Sequence, residues 1–143
     1  MYCTEISTKF SAAHFLESEF MHGHNFKVNA RLYGNLNKKG MVIDLDKAKN
    51  ALDEICNEFD HKVMLSELSA DSKNKAGEIR IKEKTYKIAD EDVVFLPIQS
   101  TTAEYVVEYI ANRLKEKFKA QNLNLNIFVE MEENYDSSAC FFD

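Results

Sequence analysis

The stretch His22-Gly23-His24-Asn25-Phe26 places two histidines two residues apart. On a β-strand such residues point to the same face, about 6–7 Å apart, so both imidazoles can reach one metal ion. His14 precedes them, and three of the four histidines of the chain thus fall within eleven residues. Three imidazoles that leave a fourth position open are typical of a catalytic zinc site. Chance is the alternative interpretation, since short motifs have a high false-positive rate.

The segments on either side of this stretch have the alternating pattern of half-buried strands. Residues 2–14 alternate between apolar and polar side chains, and His14 ends the apolar face. Residues 22–36 alternate again, with His24 and Phe26 on the apolar face. Two consecutive antiparallel strands would place all three histidines at one end of a hairpin. The strand pattern is therefore compatible with a shared metal site.

The remainder of the sequence predicts two helices and several short strands. The first helix has Asp44 as its N-cap and ends near Asp60 and His61, while the second opens at Thr101 with capping-box spacing to Glu104. The predicted strands are 41–43, a hairpin within 78–88, an edge strand over 93–97, and a last strand over 125–131 whose apolar face continues to Glu133. A carboxylate in that position either enters solvent or binds a polar ligand.

Length and composition predict one globular domain over residues 1–143, and the predicted helices and strands make it an α+β domain with an extra hairpin inserted between the core elements. The 143 residues are 45% hydrophobic, with one proline and four glycines, which indicates a globular core that folds without metal. A net charge of −6 argues against nucleic-acid partners. Scattered thiols without a C-x-x-C motif indicate a reducing compartment. With no leader and no long apolar run, we expect a cytoplasmic protein that does not bind membranes.

Several of these motifs occur together in one known family. The segments F-S-A-A-H (10–14), M-H-G-H-N-F (21–26), the D-H pair, T-T-A-E (101–104) and V-E-M-E-E (129–133) resemble the 6-pyruvoyltetrahydropterin and 6-carboxytetrahydropterin synthases. The resemblance covers nearly the whole chain except about 66–98. It implies the tunnelling fold, an antiparallel four-stranded sheet with two helices on one face. It also implies a homohexamer made of two trimers, with pterin sites between subunits.

The resemblance further implies a role for individual residues. His14, His22 and His24 stand at the positions of the zinc ligands, and Asp60 with His61 matches the catalytic Asp-His pair. Binding of the pterin substrate is assigned to Glu133, which would anchor the amino-pyrimidine edge, and to Thr101, Thr102 and Glu104 near the pocket. A carboxylate can accept two parallel N–H bonds from such a ring, which an amide cannot.

One position departs from the common pattern of the family. Ser18 stands where the family has a cysteine general base, and a hydroxyl is far less acidic than a thiol. Glu19 creates E-x-x-H-G-H instead, which is similar to the glutamate-type branch that converts 7,8-dihydroneopterin triphosphate to 6-hydroxymethyl-7,8-dihydropterin in folate synthesis. We expect a partly buried Glu19 to act as the base.

Other functions remain open from the sequence. They are synthesis of 6-carboxytetrahydropterin for queuosine-type products, 6-pyruvoyltetrahydropterin synthesis, and zinc-dependent pterin binding without turnover. Glu19 would have no catalytic role if it were only a surface residue of the loop.

Overall fold

The computed structural model of the protein describes residues 1–16, 19–68, 78–81 and 83–143, and an antiparallel strand pair lies at its centre. Strands β1 (Tyr2–His14) and β2 (His22–Gly34) pair along their whole length. The apolar positions of both strands are buried on one face, as the alternation predicts. The predicted hairpin is therefore confirmed, with β2 ending two residues before the predicted limit.

The main sheet has six strands and is mixed, so the prediction of four antiparallel strands is wrong in number and partly in direction. Its order is β6-β3-β1-β2-β7-β8, where β3 is Lys62–Ser66, β6 is Val93–Leu96, β7 is Asn126–Asn134 and β8 is Ser137–Phe142. Strands β1, β2, β7 and β8 are antiparallel neighbours, whereas β3 and β6 pair in parallel on the other edge. The predicted edge position of β6 is confirmed.

The region predicted as an insertion contributes to two sheets. Its last strand, β6, extends the main sheet beside β3, which ends where the predicted insertion begins, and the connection between the two strands is long enough for a parallel crossover. Strands β4 (Glu78–Ile81) and β5 (Lys84–Lys87) form the separate hairpin that the alternation predicts. The rest of the predicted insertion, 69–77 and 82, lies outside the described residues.

Both helices begin at capped ends. Asp44 accepts from the Lys47 N–H and caps α1 (Leu45–Asn57) as predicted. Helix α2 (Ala103–Lys119) begins one residue later than predicted, because Thr102 rather than Thr101 accepts from the Tyr105 N–H. Helix α1 also ends earlier than predicted, and a turn leads from it to Asp60 and His61. Across the described part of the chain, neither helix is sufficiently long and apolar to cross a bilayer.

The strand predicted at 41–43 is not formed. Asn37 closes a tight turn instead, in which its side chain accepts from the backbone N–H groups of Lys39 and Met41, and Gly40 has φ +75°. Val42 and Ile43 are nevertheless buried. The apolar signal at these positions therefore reflects burial in the core and not strand pairing.

One hydrophobic core lies between the helices and the buried face of the main sheet. The fully buried side chains of α1, α2, β2 and β7 meet there with Phe59 of the turn after α1, and the largest are Phe26, Phe59, Phe118, Leu32, Leu52, Ile55, Ile110, Leu114, Ile127 and Met131. These residues require no ligand to pack. The histidines at the end of the hairpin therefore lie on a framework that hydrophobic burial stabilises.

Truncating a buried residue of α1 is expected to destabilise the protein far more than truncating an exposed one. Leu52 is 0% exposed and Leu45 is 51% exposed. We expect Leu52→Ala to lower the free energy of unfolding by about 2–5 kcal/mol, since it leaves a cavity. The matched Leu45→Ala variant should change it by about 0.5 kcal/mol or less. Urea denaturation followed by circular dichroism measures both, and equal effects would contradict the placement of α1.

Candidate metal centre and active site

Three histidines and one glutamate converge at the end of the β1–β2 hairpin. His14 and His22 are direct partners in the strand register, and His24 follows on the same face of β2. Glu133, near the end of β7, completes the group. One potential ligand atom from each of these residues lies within 4.8 Å of the others. The structure therefore brings together the three histidines predicted as zinc ligands, and adds a carboxylate predicted to bind substrate.

Backbone carbonyl groups fix the tautomers of two of these histidines. His14 Nδ1 lies 2.8 Å from the carbonyl oxygen of Thr101, and His22 Nδ1 lies 2.8 Å from that of Phe20. Because a carbonyl oxygen only accepts, each Nδ1 carries the proton and each Nε2 presents a lone pair. The two Nε2 atoms are 3.1 Å apart. Burial lowers the pKa of His14 below its ordinary value, which favours the neutral ring that binds metals.

The third histidine and the glutamate direct further polar atoms to the same point. His24 Nε2 is buried and has no hydrogen-bond partner among the described residues. Glu133 Oε1 lies 3.2 Å from the Nε2 atoms of both His14 and His24, although the contact with His24 lacks hydrogen-bond geometry. A buried polar atom without a partner is costly, and facing lone pairs repel. A bound cation would remove both penalties, and imidazole nitrogen with a carboxylate oxygen suits Zn²⁺.

Asp60 and His61 contact each other beside β1. Asp60 Oδ1 accepts from the Ser11 N–H at 2.9 Å, and its Oδ2 lies 3.0 Å from His61 Nδ1. The Ser11 N–H, followed by the contact with His61, holds the pKa of Asp60 below its ordinary value. His61 adopts a left-handed backbone with φ 59°, and its side chain is 82% exposed. A cleft of about 610 Å³ has both His24 and His61 in its lining.

Glu19 lies on the link between β1 and β2, between two of the candidate metal ligands in sequence. Its N–H donates to the Leu16 carbonyl oxygen at 2.8 Å. Its side chain is exposed in the single chain, so the predicted partial burial is not found there. The neighbouring Phe20 carbonyl is the acceptor that orients His22. The backbone beside Glu19 is thus tied directly to the histidine cluster.

The predicted pterin-binding residues at the start of α2 have different environments. Thr101 is 4% exposed, its hydroxyl donates to the Phe15 carbonyl at 3.2 Å, and its own carbonyl accepts from His14. Thr102 caps the helix, and Glu104 is exposed in the first turn. The described contacts of Thr101 therefore support the metal site, whereas Glu104 is accessible to a ligand.

Sequence reasoning missed the two carbonyl groups that orient His14 and His22. Every residue has a backbone carbonyl, so the residue types at Thr101 and Phe20 do not indicate that their carbonyl groups accept from the histidines. The position of Glu133 within the cluster did have one, because Glu133 continues the face of β7 that contains the buried Met131. The alternation of β7 thus predicted that Glu133 could bind a polar ligand, but it did not indicate that Glu133 would lie beside the histidines.

The family model described as 6-pyruvoyl tetrahydropterin synthase matches residues 4–143 of the chain. The chain belongs to the 6-pyruvoyl tetrahydropterin synthase family. A Methanocaldococcus jannaschii relative, whose name is a provisional assignment as 6-carboxy-5,6,7,8-tetrahydropterin synthase, is 34% identical over 93% of this chain and 88% of its own. A Pyrococcus horikoshii protein with the same provisional name is 33% identical over 76% of this chain and 70% of its own.

Solved structures of the synthase family have the same fold. The Plasmodium vivax 6-pyruvoyl tetrahydropterin synthase superposes with a TM-score of 0.84 and 25% identity, over 100% of this chain and 99% of its own. Another structure of the Plasmodium vivax synthase, described as a catalytic-residue mutant with glutamate replaced by cysteine, gives a TM-score of 0.83 at 25% identity and the same coverage. The catalytic residue of that synthase is thus a glutamate.

Proposed function

We propose that the protein is a zinc-dependent pterin synthase that cleaves the side chain of 7,8-dihydroneopterin triphosphate to give 6-hydroxymethyl-7,8-dihydropterin. The observation that carries the proposal is the convergence of three imidazole nitrogens and one carboxylate in a member of this family. Glu19, three residues before the H-G-H motif, supports the choice of product. A glutamate is also the catalytic residue named for the similar Plasmodium vivax structure.

His14, His22 and His24 would hold the zinc, and the carbonyl groups of Thr101 and Phe20 would keep two of the rings in the tautomer that binds it. Zinc bound there would supply a Lewis acid that makes the hydroxyl groups of the substrate side chain more acidic. The lowered pKa of His14, which burial causes, matches this role, because a protonated ring cannot bind a metal.

The remaining groups of the site would move protons and hold the ring. Glu19 would take the proton of a side-chain hydroxyl as the C1′–C2′ bond breaks, and the C6=N5 imine of the dihydropterin would accept the electrons. The reaction needs a second proton transfer, and His61 would perform it. Its Nδ1 lies 3.0 Å from Asp60 Oδ2, which would orient the ring. Glu133, Glu104 and the Thr101–Thr102 segment would fix the pterin ring. The resemblance implies such sites between subunits, and we propose that a homohexamer brings the exposed Glu19 and His61 to them.

A second candidate is 6-carboxytetrahydropterin synthesis, which the names of the archaeal relatives favour. The deciding experiment is to incubate the zinc-loaded protein with 7,8-dihydroneopterin triphosphate and to identify the product by mass spectrometry. The hydroxymethyl product supports the proposal. The carboxy or pyruvoyl product would favour the cysteine-type reactions, and pterin binding without a product at any pH would indicate a binding module.

Glu133 could bind either the pterin ring or the metal, and the substitution Glu133→Gln distinguishes these two roles. We expect Glu133→Gln to weaken pterin binding by about 1–3 kcal/mol, because one N–H donor of the ring would face an amide NH₂ group. Zinc content should stay unchanged if the three histidines are the ligands. Fluorescence titration with a pterin and metal analysis of the same sample measure both quantities. Loss of zinc with unchanged pterin affinity would make Glu133 a metal ligand and contradict its proposed role.

A further inference from the structure

A small hydrophobic cluster lies outside the main core and contacts both ends of the link between β1 and β2. Phe15 is 9% exposed and packs with Leu65 of β3 and with Ile79 and Ile81 of β4, each of which is 3% exposed. Met21, at the other end of the link, packs against the same cluster. Phe15 follows the candidate ligand His14, and Met21 precedes His22. The cluster thus fixes the chain immediately next to two candidate metal ligands.

The β4–β5 hairpin provides much of this cluster and contributes no strand to the main sheet. It forms its own two-stranded sheet, in which Ile79 pairs with Tyr86 and Ile81 with Lys84. A lone two-stranded hairpin is marginally stable in water, so it must pack against another part of the chain. Its buried isoleucines meet the link and the β3–β6 edge. The hairpin and the link therefore stabilise each other.

A second contact joins the hairpin to the residue that follows Glu19. The Lys84 ammonium lies 5.1 Å from the centre of the Phe20 ring, within the range of a cation–π interaction. The carbonyl of Phe20 accepts from His22 Nδ1 at 2.8 Å. The ring of Phe20 is attached to the hairpin while its backbone orients a candidate ligand. Movement of the hairpin would be transmitted to both Glu19 and His22.

We propose that the β4–β5 hairpin is a positioning element for the candidate site, and that Ile79 and Lys84 hold the Glu19 backbone where its carboxylate can act as a base. This inference rests on the proposed function, but its structural half can be measured without turnover. None of the described hairpin residues belongs to the group formed by His14, His22, His24 and Glu133. A displacement of the base by about 1 Å is enough to slow a proton transfer strongly, which is the reason for fixing it from outside the site.

Ile79→Ala tests the proposal, and Ile127→Ala is its matched control. Ile79 belongs to the small cluster, whereas Ile127 is 1% exposed in the main core and pairs with Leu32, at the opposite end of β2 from His22. For Ile79→Ala we expect roughly tenfold lower kcat with KM and zinc content unchanged. Hydrogen–deuterium exchange of the peptide with Glu19 and Met21 should become several-fold faster. Ile79→Val, which keeps most of the side chain, should have the kcat and the exchange rate of the wild type.

The control should separate positioning from general destabilisation. Ile127→Ala should lower the melting temperature more than Ile79→Ala, yet leave kcat and exchange in the Glu19 peptide unchanged well below that temperature. Unchanged exchange in Ile79→Ala, or its global unfolding, would overturn the proposal. If the wild type has no turnover, the proposed function fails, but the exchange measurement still decides whether the hairpin holds the link.

The cation–π contact gives an independent test at an exposed residue. Lys84→Met removes the charge while keeping the length of the side chain, and Lys84→Arg retains the charge over the Phe20 ring. We expect a twofold to fivefold fall in kcat for Lys84→Met, recovery in Lys84→Arg, and no effect from Lys87→Ala in the same strand. An increased KM with unchanged kcat would instead make Lys84 a contact for the triphosphate and would overturn its positioning role.

Discussion

Turnover of the Glu19→Ala variant is expected to fall by about 10²–10⁴ relative to the wild type, which is the usual effect of removing a positioned general base. Zinc content and pterin affinity should be retained, because none of the described contacts of the histidine cluster involves the Glu19 side chain. Single-turnover kinetics with 7,8-dihydroneopterin triphosphate, together with metal analysis, measures these quantities. Glu116→Ala, at an exposed position on α2, is the control and should behave as the wild type.

Wild-type turnover in Glu19→Ala would show that Glu19 is not the base. Ser18→Cys extends the test, since it restores the thiol at the position where the common family pattern has it. A thiol near zinc and imidazole would have a lowered pKa and act as a base. We expect this variant to add some product in which triphosphate is eliminated. Activity in Ser18→Cys alone, with none in the native protein, would contradict the assignment of Glu19.

Loss of the metal is the second change with a large expected effect. A chelator should abolish turnover but leave the circular dichroism spectrum nearly unchanged, because the main core packs without the cluster. His24→Ala should lose most of the zinc, since two imidazoles bind an ion much less well than three. The control is His61→Ala, which removes the fourth histidine of the chain and should keep full zinc occupancy. Elemental analysis after dialysis measures the metal content of each variant.

Two results would contradict this account of the metal centre. An apoprotein that is unfolded by circular dichroism would mean that the site is structural, and that no coordination position is reserved for a substrate. Full zinc occupancy in His24→Ala would remove His24 from the ligand set. In that case the buried Nε2 of His24 would need another explanation.

The long elements of the fold could be predicted from the sequence, whereas the short strands β3 and β8 could not. Strands β1 and β2 have thirteen residues each, so their alternation is unambiguous. Strand β3 has five residues, follows the turn after α1 without a glycine or proline boundary, and pairs with β1 at two positions. Such a short apolar run does not reveal its partner or direction. Strand β8 is mostly exposed and therefore shows little apolar pattern.

The candidate site was predictable in its side chains but not in its backbone contacts. The spacing of His14, His22 and His24 follows from the period of a strand, which is a local property of the chain. The contact between His14 and the Thr101 carbonyl joins residues 87 positions apart and depends on the packing of α2. Only the folded chain could show that contact, together with the proximity of Glu133.

The pairing of His14 opposite His22 also limits how the length of this chain can change. Side chains alternate between faces, so one residue inserted between Phe26 and Gly34 would force either a bulge or a shift of pairing that sends alternate side chains to the wrong face. The core residues of β2 and the histidine cluster could then not both keep their present pairing with β1, so either the packing of the core or the convergence of the histidines would be lost. Strands β1 and β2 should therefore keep a fixed number of residues.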